Sequence, residues 1–195
     1  ADDALPAAQA KFTLSAFNNA GRSDKKLVER LSKLAGFSAD LPAYSAEFVH
    51  EIVSNSRTAN VAAGRQIYDT LGCATCHTIN NAGGKVGPDL SALGRGLPVD
   101  MIVTEVIWPQ LNVKEGFEAV RVSTRDADIV EGFRQNETTD EIAIRDILTG
   151  GITKIPRAKV ANVRSIGSPM PEGLTAPLSK QQLANLVRYL SELGK

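Results

Sequence analysis

The chain has 195 residues, enough for one domain, or one domain with an appendage, and for a real core. Hydrophobic residues at 43% and charged residues at 23% are ordinary for a globular chain, and 22 basic residues balance 22 acidic ones, which excludes a strong overall field directed at nucleic acid or an acidic partner. No apolar run approaches the roughly 20 residues of a membrane-spanning helix, and the densest, Met101 to Trp108, is broken by Glu105.

Residues 1–56 read as an N-terminal helical extension. Pro6 suits a first turn, with Phe12 and Phe17 on the apolar side and a stop near Gly21. Ser23 or Asp24 can cap a second helix carrying Leu27, Leu31 and Leu34 and ending at Gly36. Ser45 can cap a third, with Phe48, Val49 and Ile52 inside. No catalytic constellation lies here, and His50 is read as a surface or core histidine.

Residues 57–195 form the second unit. Asn60 caps a helix through Leu71, with Gly64 and Tyr68 four apart on one face. Next comes Cys73-Ala74-Thr75-Cys76-His77, two cysteines separated by two residues and followed at once by histidine, which is the attachment signature of a c-type haem. The spacing matches the chemistry: two thiols add to the two vinyl groups on one porphyrin edge, and the adjacent imidazole is delivered to the iron. A thioredoxin-like pair would sit near a βαβ pattern, and none surrounds this one. Structural zinc needs four ligands, whereas the chain has two Cys and two His, with no second cysteine pair. One covalent haem c is therefore expected, with Cys73, Cys76 and His77 as its binding residues. Both cysteines are used, so no disulfide is expected. Haem is attached to such motifs outside the cytoplasmic membrane, so the expected location is periplasmic or otherwise extracytoplasmic, and the missing leader reads as one already removed.

Glycines and Pro88 make Gly83-Gly84-Lys85-Val86-Gly87-Pro88-Asp89-Leu90 a loop. Pro98 to Trp108 reads as a short helix stopped by Pro109, with Met101 at core spacing and so taken as packing, not as a ligand. From 116 to 166 the composition turns to Val, Ile, Phe and Thr. Runs at Phe117–Thr124, Ile129–Gln135, Glu141–Leu148 and Ile152–Ile155, separated by turn signals, predict a small antiparallel meander inserted into the fold. Ser168-Pro169-Met170-Pro171 then presents a methionine stiffened by prolines on both sides, which suits a side chain that must reach a buried iron at a fixed angle. Ser179 and Gln182 form a capping box for a last helix with Leu183, Leu186, Val187, Leu190 and Leu193 at helical spacing.

The two flanking helices, the motif and the later proline and methionine resemble a class I cytochrome c. The fold class expected is therefore mainly α: a helical haem domain with a β insertion at about 116–166. The resemblance implies that Gly64, Tyr68 and Tyr189 meet where the first and last helices cross. It also implies that Pro88 packs on the haem, its carbonyl accepting the other N–H of the His77 ring, and that Met170 is the second axial ligand, making His77 and Met170 the metal ligands. More specifically, Tyr68, the motif, Val86-Gly87-Pro88-Asp89-Leu90, Trp108-Pro109, the β-rich middle and Ser168 to Leu174 resemble, in that order, the haem-binding domain of planctomycete and verrucomicrobial type. That domain lies at the C-terminus of large membrane-bound dehydrogenases. The function so implied is single-electron transfer with a redox partner protein, a dehydrogenase module or another carrier. The chain would then not be an enzyme in its own right, and no nucleic-acid partner is expected. The alternatives are a peroxidase-like haem enzyme or a haem sensor with a displaceable distal ligand.

Overall fold

The computed structural model describes Leu27, Arg30, residues 44–147 and residues 149–195. The first two helices expected in the extension lie outside the described residues except for Leu27 and Arg30, both of which are helical. The third is α1, Ala46–Ser56, capped as expected by Ser45, whose hydroxyl accepts from the Phe48 N–H at 3.3 Å. Then follow α2 (Val61–Thr70), a 3-10 turn at Cys73–Thr75, a two-residue hairpin β1 (Thr78–Ile79) and β2 (Ala82–Gly83), α3 (Leu93–Gly96) and α4 (Val99–Ile107). Five strands come next, β3 (Ala119–Thr124), β4 (Ile129–Glu137), β5 (Glu141–Asp146), β6 (Ile152–Pro156) and β7 (Val160–Gly167), and α5 (Lys180–Glu192) closes the chain.

The helical part is organised around α5. Its capping box is formed as read from the sequence, with Ser179 and Gln182 satisfying each other's backbone N–H. Apolar residues at positions 183, 186, 187 and 190 cover a wide stripe, and the stripe serves two clusters. Leu183 and Val187 pack with Val49 and Ile52 of α1, Val103 and Ile107 of α4, and Trp108. Leu186 and Leu190 pack with Tyr68, Leu90, Ile102 and Tyr189. Each such side chain taken from water contributes about 1.5–3 kcal/mol, so α1, α2 and α4 are held chiefly by this one helix. Met101 does not join them. It is 38% exposed, on the outward side of α4, against the packing role read from its spacing.

The fold is not mainly α. Among the described residues helix makes up 36% and strand 25%, and the strand lies almost wholly in one five-stranded antiparallel sheet of order β6-β5-β4-β3-β7. Four of its strands fall on the runs rich in Val, Ile, Phe and Thr read from the sequence, whereas β7 falls on none. The reason is a register shift where Ser123 and Thr124 of β3 pair with Asn162 and Val160 of β7. That irregularity sets the inward residues Val160 and Val163 three apart and breaks the period of two on which strand recognition rests.

Because β7 pairs with β3, the two edge strands β6 and β7 are consecutive in the chain, joined only by the 3-10 turn Arg157–Lys159. Edge to edge, five flat strands would span about 19 Å, and three residues of 3-10 helix cover about 6 Å. The sheet must therefore curl until its edges approach. Its concave side holds Val120, Val122, Ile142, Ile144 and Ile155, all at most 5% exposed, with Val130, Val160 and Val163 around them and no helix residue in the cluster. The sheet is thus a small, partly open barrel with its own core. On its outer side Phe133 meets the edge of Phe117 at 5.8 Å, and the Arg145 guanidinium lies 4.6 Å from the Phe133 ring centre.

Candidate cofactor site

The crossing of α2 and α5 fixes the entry to the site. The Asn60 side chain accepts from the Ala63 N–H at 3.0 Å, and the Asn60 N–H donates to Asn185 on α5, also at 3.0 Å. At Gly64 a β-carbon would overlap the Asn185 carbonyl and stand 2.7 Å from the Tyr189 β-carbon, so only glycine lets the two backbones approach this closely. One turn on, Tyr68 meets Tyr189 edge-on at 5.6 Å. The three residues expected at the crossing are therefore together. Gly72, with φ +75°, then turns the chain out of α2 into the 3-10 turn of the motif.

Within that turn Cys76 and His77 both donate their N–H to the Cys73 carbonyl, at 3.1 and 3.0 Å. This tight winding places Cys73, Cys76 and His77 on one wall. Both cysteines are unpaired and half-buried. Burial pushes the Cys73 thiol up to about 11, and burial raises Cys76 as well. The Asn80-Asn81 tip of the hairpin has φ of 50° and 66°, a two-residue turn that matches the strand twist and sends the chain back beneath the motif. There the Gly87 N–H donates to Cys76 O at 2.8 Å, and His77 Nδ1 lies 2.9 Å from Pro88 O.

A carbonyl can only accept, so Nδ1 carries the proton and Nε2 keeps a free lone pair. Burial lowers the His77 pKa and so favours the neutral ring a metal ligand must be, while the bond to Pro88 opposes that shift. Gly87 packs directly on that ring: a β-carbon would stand 2.5 Å from Cε1 and 2.7 Å from Nδ1.

These residues face a cavity of about 270 Å³, whose lining includes Cys73, Cys76, His77, Pro88 and, from the far end of the chain, Met170. All five residues singled out in the sequence thus line one space. His50 and Met101 do not. They border a separate groove beside α1 and α4, together with Tyr44 and Asp100. Sequence reasoning missed Glu105 and Phe117, which also line the cavity. Burial raises the Glu105 carboxyl, with Lys114 opposing. Nothing local marked either residue, since Glu105 read only as a break in an apolar helix and Phe117 as the start of a strand.

The walls fit a haem. They are largely apolar, they bring two thiols and a neutral imidazole with a free Nε2 to one side, and they include the Tyr68 hydroxyl, which is buried without a hydrogen-bond partner. Among the described residues no group of three or more His, Cys, Asp or Glu offers a competing metal site, and no described helix is long and apolar enough to cross a membrane. No curated protein matches the chain. Residues 61–102, from α2 through the motif into α4, match the family model for cytochrome c. That match supports a c-type cytochrome, a haem-binding electron-transport protein, and implies a covalently attached haem c with its iron.

Proposed function

We propose that the protein is a single-haem electron carrier in which Cys73 and Cys76 form the two thioethers and His77 and Met170 are the axial ligands. In each attachment the S–H adds across a vinyl group, forming one C–S bond and placing the hydrogen on the neighbouring carbon, so no external oxidant is required. When bound, the haem iron takes up and releases one electron. The chain's own part is to orient. Pro88 O holds the proton on Nδ1, Gly87 leaves the ring room and no more, and the apolar walls exclude water. Met170 offers a soft thioether, which favours the ferrous state and raises the potential.

The observation that carries this reading is that His77 and Met170, 93 residues apart, line the same cavity. A donor or acceptor protein is part of it: a dehydrogenase module in the setting of the planctomycete-type resemblance, in an extracytoplasmic compartment. In this reading residues 57–195 make up the cytochrome domain, the barrel being its insertion. Replacing Met170 with Ala should abolish the weak red charge-transfer band of methionine-ligated ferric haem, lower the potential and open the site to carbon monoxide. His50→Ala and Met101→Leu should do none of these. Loss of the band in His50→Ala, with the Met170 variant unaffected, would refute the assignment.

A further inference from the structure

Between Gly167, where β7 ends, and Lys180, where α5 begins, the chain contains no regular element, yet Met170 lies in this stretch. One side chain grips it from outside. Gln110, in the turn after α4, donates from Nε2 to Ser168 O at 2.9 Å and accepts from the Ser168 N–H on Oε1, also at 2.9 Å. Only one orientation of the amide allows both bonds, because the reverse would face donor to donor and acceptor to acceptor. The neighbouring backbone is shaped to admit it. Gly167 has φ +78°, and a β-carbon there would overlap Gln110 Oε1. From the gripped residue the link continues: Ser168 Oγ accepts the Met170 N–H at 3.2 Å.

Gln110 is itself well founded. Two residues earlier Trp108 is buried in the helical core, edge-on to Tyr44 at 5.1 Å and to Phe48 at 6.2 Å, and the Leu111 N–H donates to Trp108 O at 2.9 Å. Trp108, Pro109 and Gln110 therefore form a strut from the α1–α4–α5 core to the loop that carries Met170.

We propose that Gln110 is the positioning residue of the Met170 loop: its two-point grip on Ser168 holds Met170 at the haem cavity and slows its replacement by an exogenous ligand. This rests on reading Met170 as the axial ligand. Gln110 is solvent-exposed, so water competes for both bonds and their combined effect is moderate.

The test uses ferric holoprotein with imidazole as the competing ligand, following the rate and affinity of displacement through loss of the red charge-transfer band. Gln110→Ala should displace roughly tenfold faster and bind imidazole correspondingly tighter, as expected for losing two hydrogen bonds. Gln110→Glu keeps an acceptor for the Ser168 N–H but turns an oxygen toward Ser168 O, so it too should exchange faster than the parent at neutral pH. It also provides a second test should the alanine variant fold poorly. Both variants should retain covalent haem and a near-parent denaturation midpoint, which a general packing defect would not. Displacement within twofold of the parent in both variants, with Met170→Ala lacking the band, overturns the grip alone. A band that survives in Met170→Ala overturns the ligand reading, and the grip with it.

Discussion

Gly87 has no special backbone conformation; what matters is what lies against it. Its Cα supports the His77 ring so closely that a methyl group would stand 2.5 Å from Cε1, and the ring cannot retreat without stretching its 2.9 Å bond to Pro88 O. Gly87→Ala should therefore cost about 1–3 kcal/mol, the usual penalty of overpacking, and alter the haem spectrum as well, because the displaced group is the proposed ligand. Gly96 makes the matched control. It ends α3 with nothing within 4 Å of a built β-carbon, so Gly96→Ala should leave the spectrum unchanged and shift stability by less than about 1 kcal/mol, in the favourable direction. Denaturant titration of the two holoproteins, followed by absorbance and circular dichroism, checks both.

Among the elements, the barrel and the helices divide the labour around the cavity. The motif end, with Cys73, Cys76 and His77, hangs from α2 and its crossing with α5. The Met170 end leaves directly from β7, and β3 with β7 brings Ala119 beside Gly167. Ile144, fully buried, packs in the barrel core. Ile144→Ala should cost about 2–4 kcal/mol by opening a cavity there. Unfolding of the barrel should then precede unfolding of the helices, and the red charge-transfer band should disappear with the first transition while the haem stays covalently attached. A single transition in strand dichroism, helix dichroism and haem absorbance would show instead that the two cores are energetically one.

For the whole molecule, 22 basic and 22 acidic residues leave no net charge to steer a partner from a distance. Many of the charges are also paired on the surface, as Lys180 with Glu51 at 2.7 Å and Arg157 with Glu137 at 2.9 Å. Weak redox encounters need only a small interface. The rate of electron exchange with a small neutral mediator and with a protein donor should therefore change little, within about threefold, as salt rises from 10 to ~150 mM. A steep fall with the protein donor alone would reveal a concentrated docking patch hidden by the balanced total.

What the sequence by itself determined were features whose parts lie within a few residues of each other. The haem motif spans five consecutive positions, and the caps at Ser45, Asn60 and Ser179 each act on an N–H three residues away, so short-range geometry suffices to read them. The apolar stripe of α5 was legible for the same reason, since helical periodicity is local. The balance between helix and sheet was not. Whether residues 116–166 amount to a modest meander or a barrel with a separate core depends on β7 returning to β3, some forty residues away, through a register shift that erases its alternation. The placing of His77 and Met170 on one cavity, the entry of Glu105 into the cavity wall and the grip of Gln110 on Ser168 likewise join segments far apart in the chain. They arise because α5 gathers the helices on one side and the curled sheet returns the chain on the other, and no local pattern encodes where two distant segments will touch.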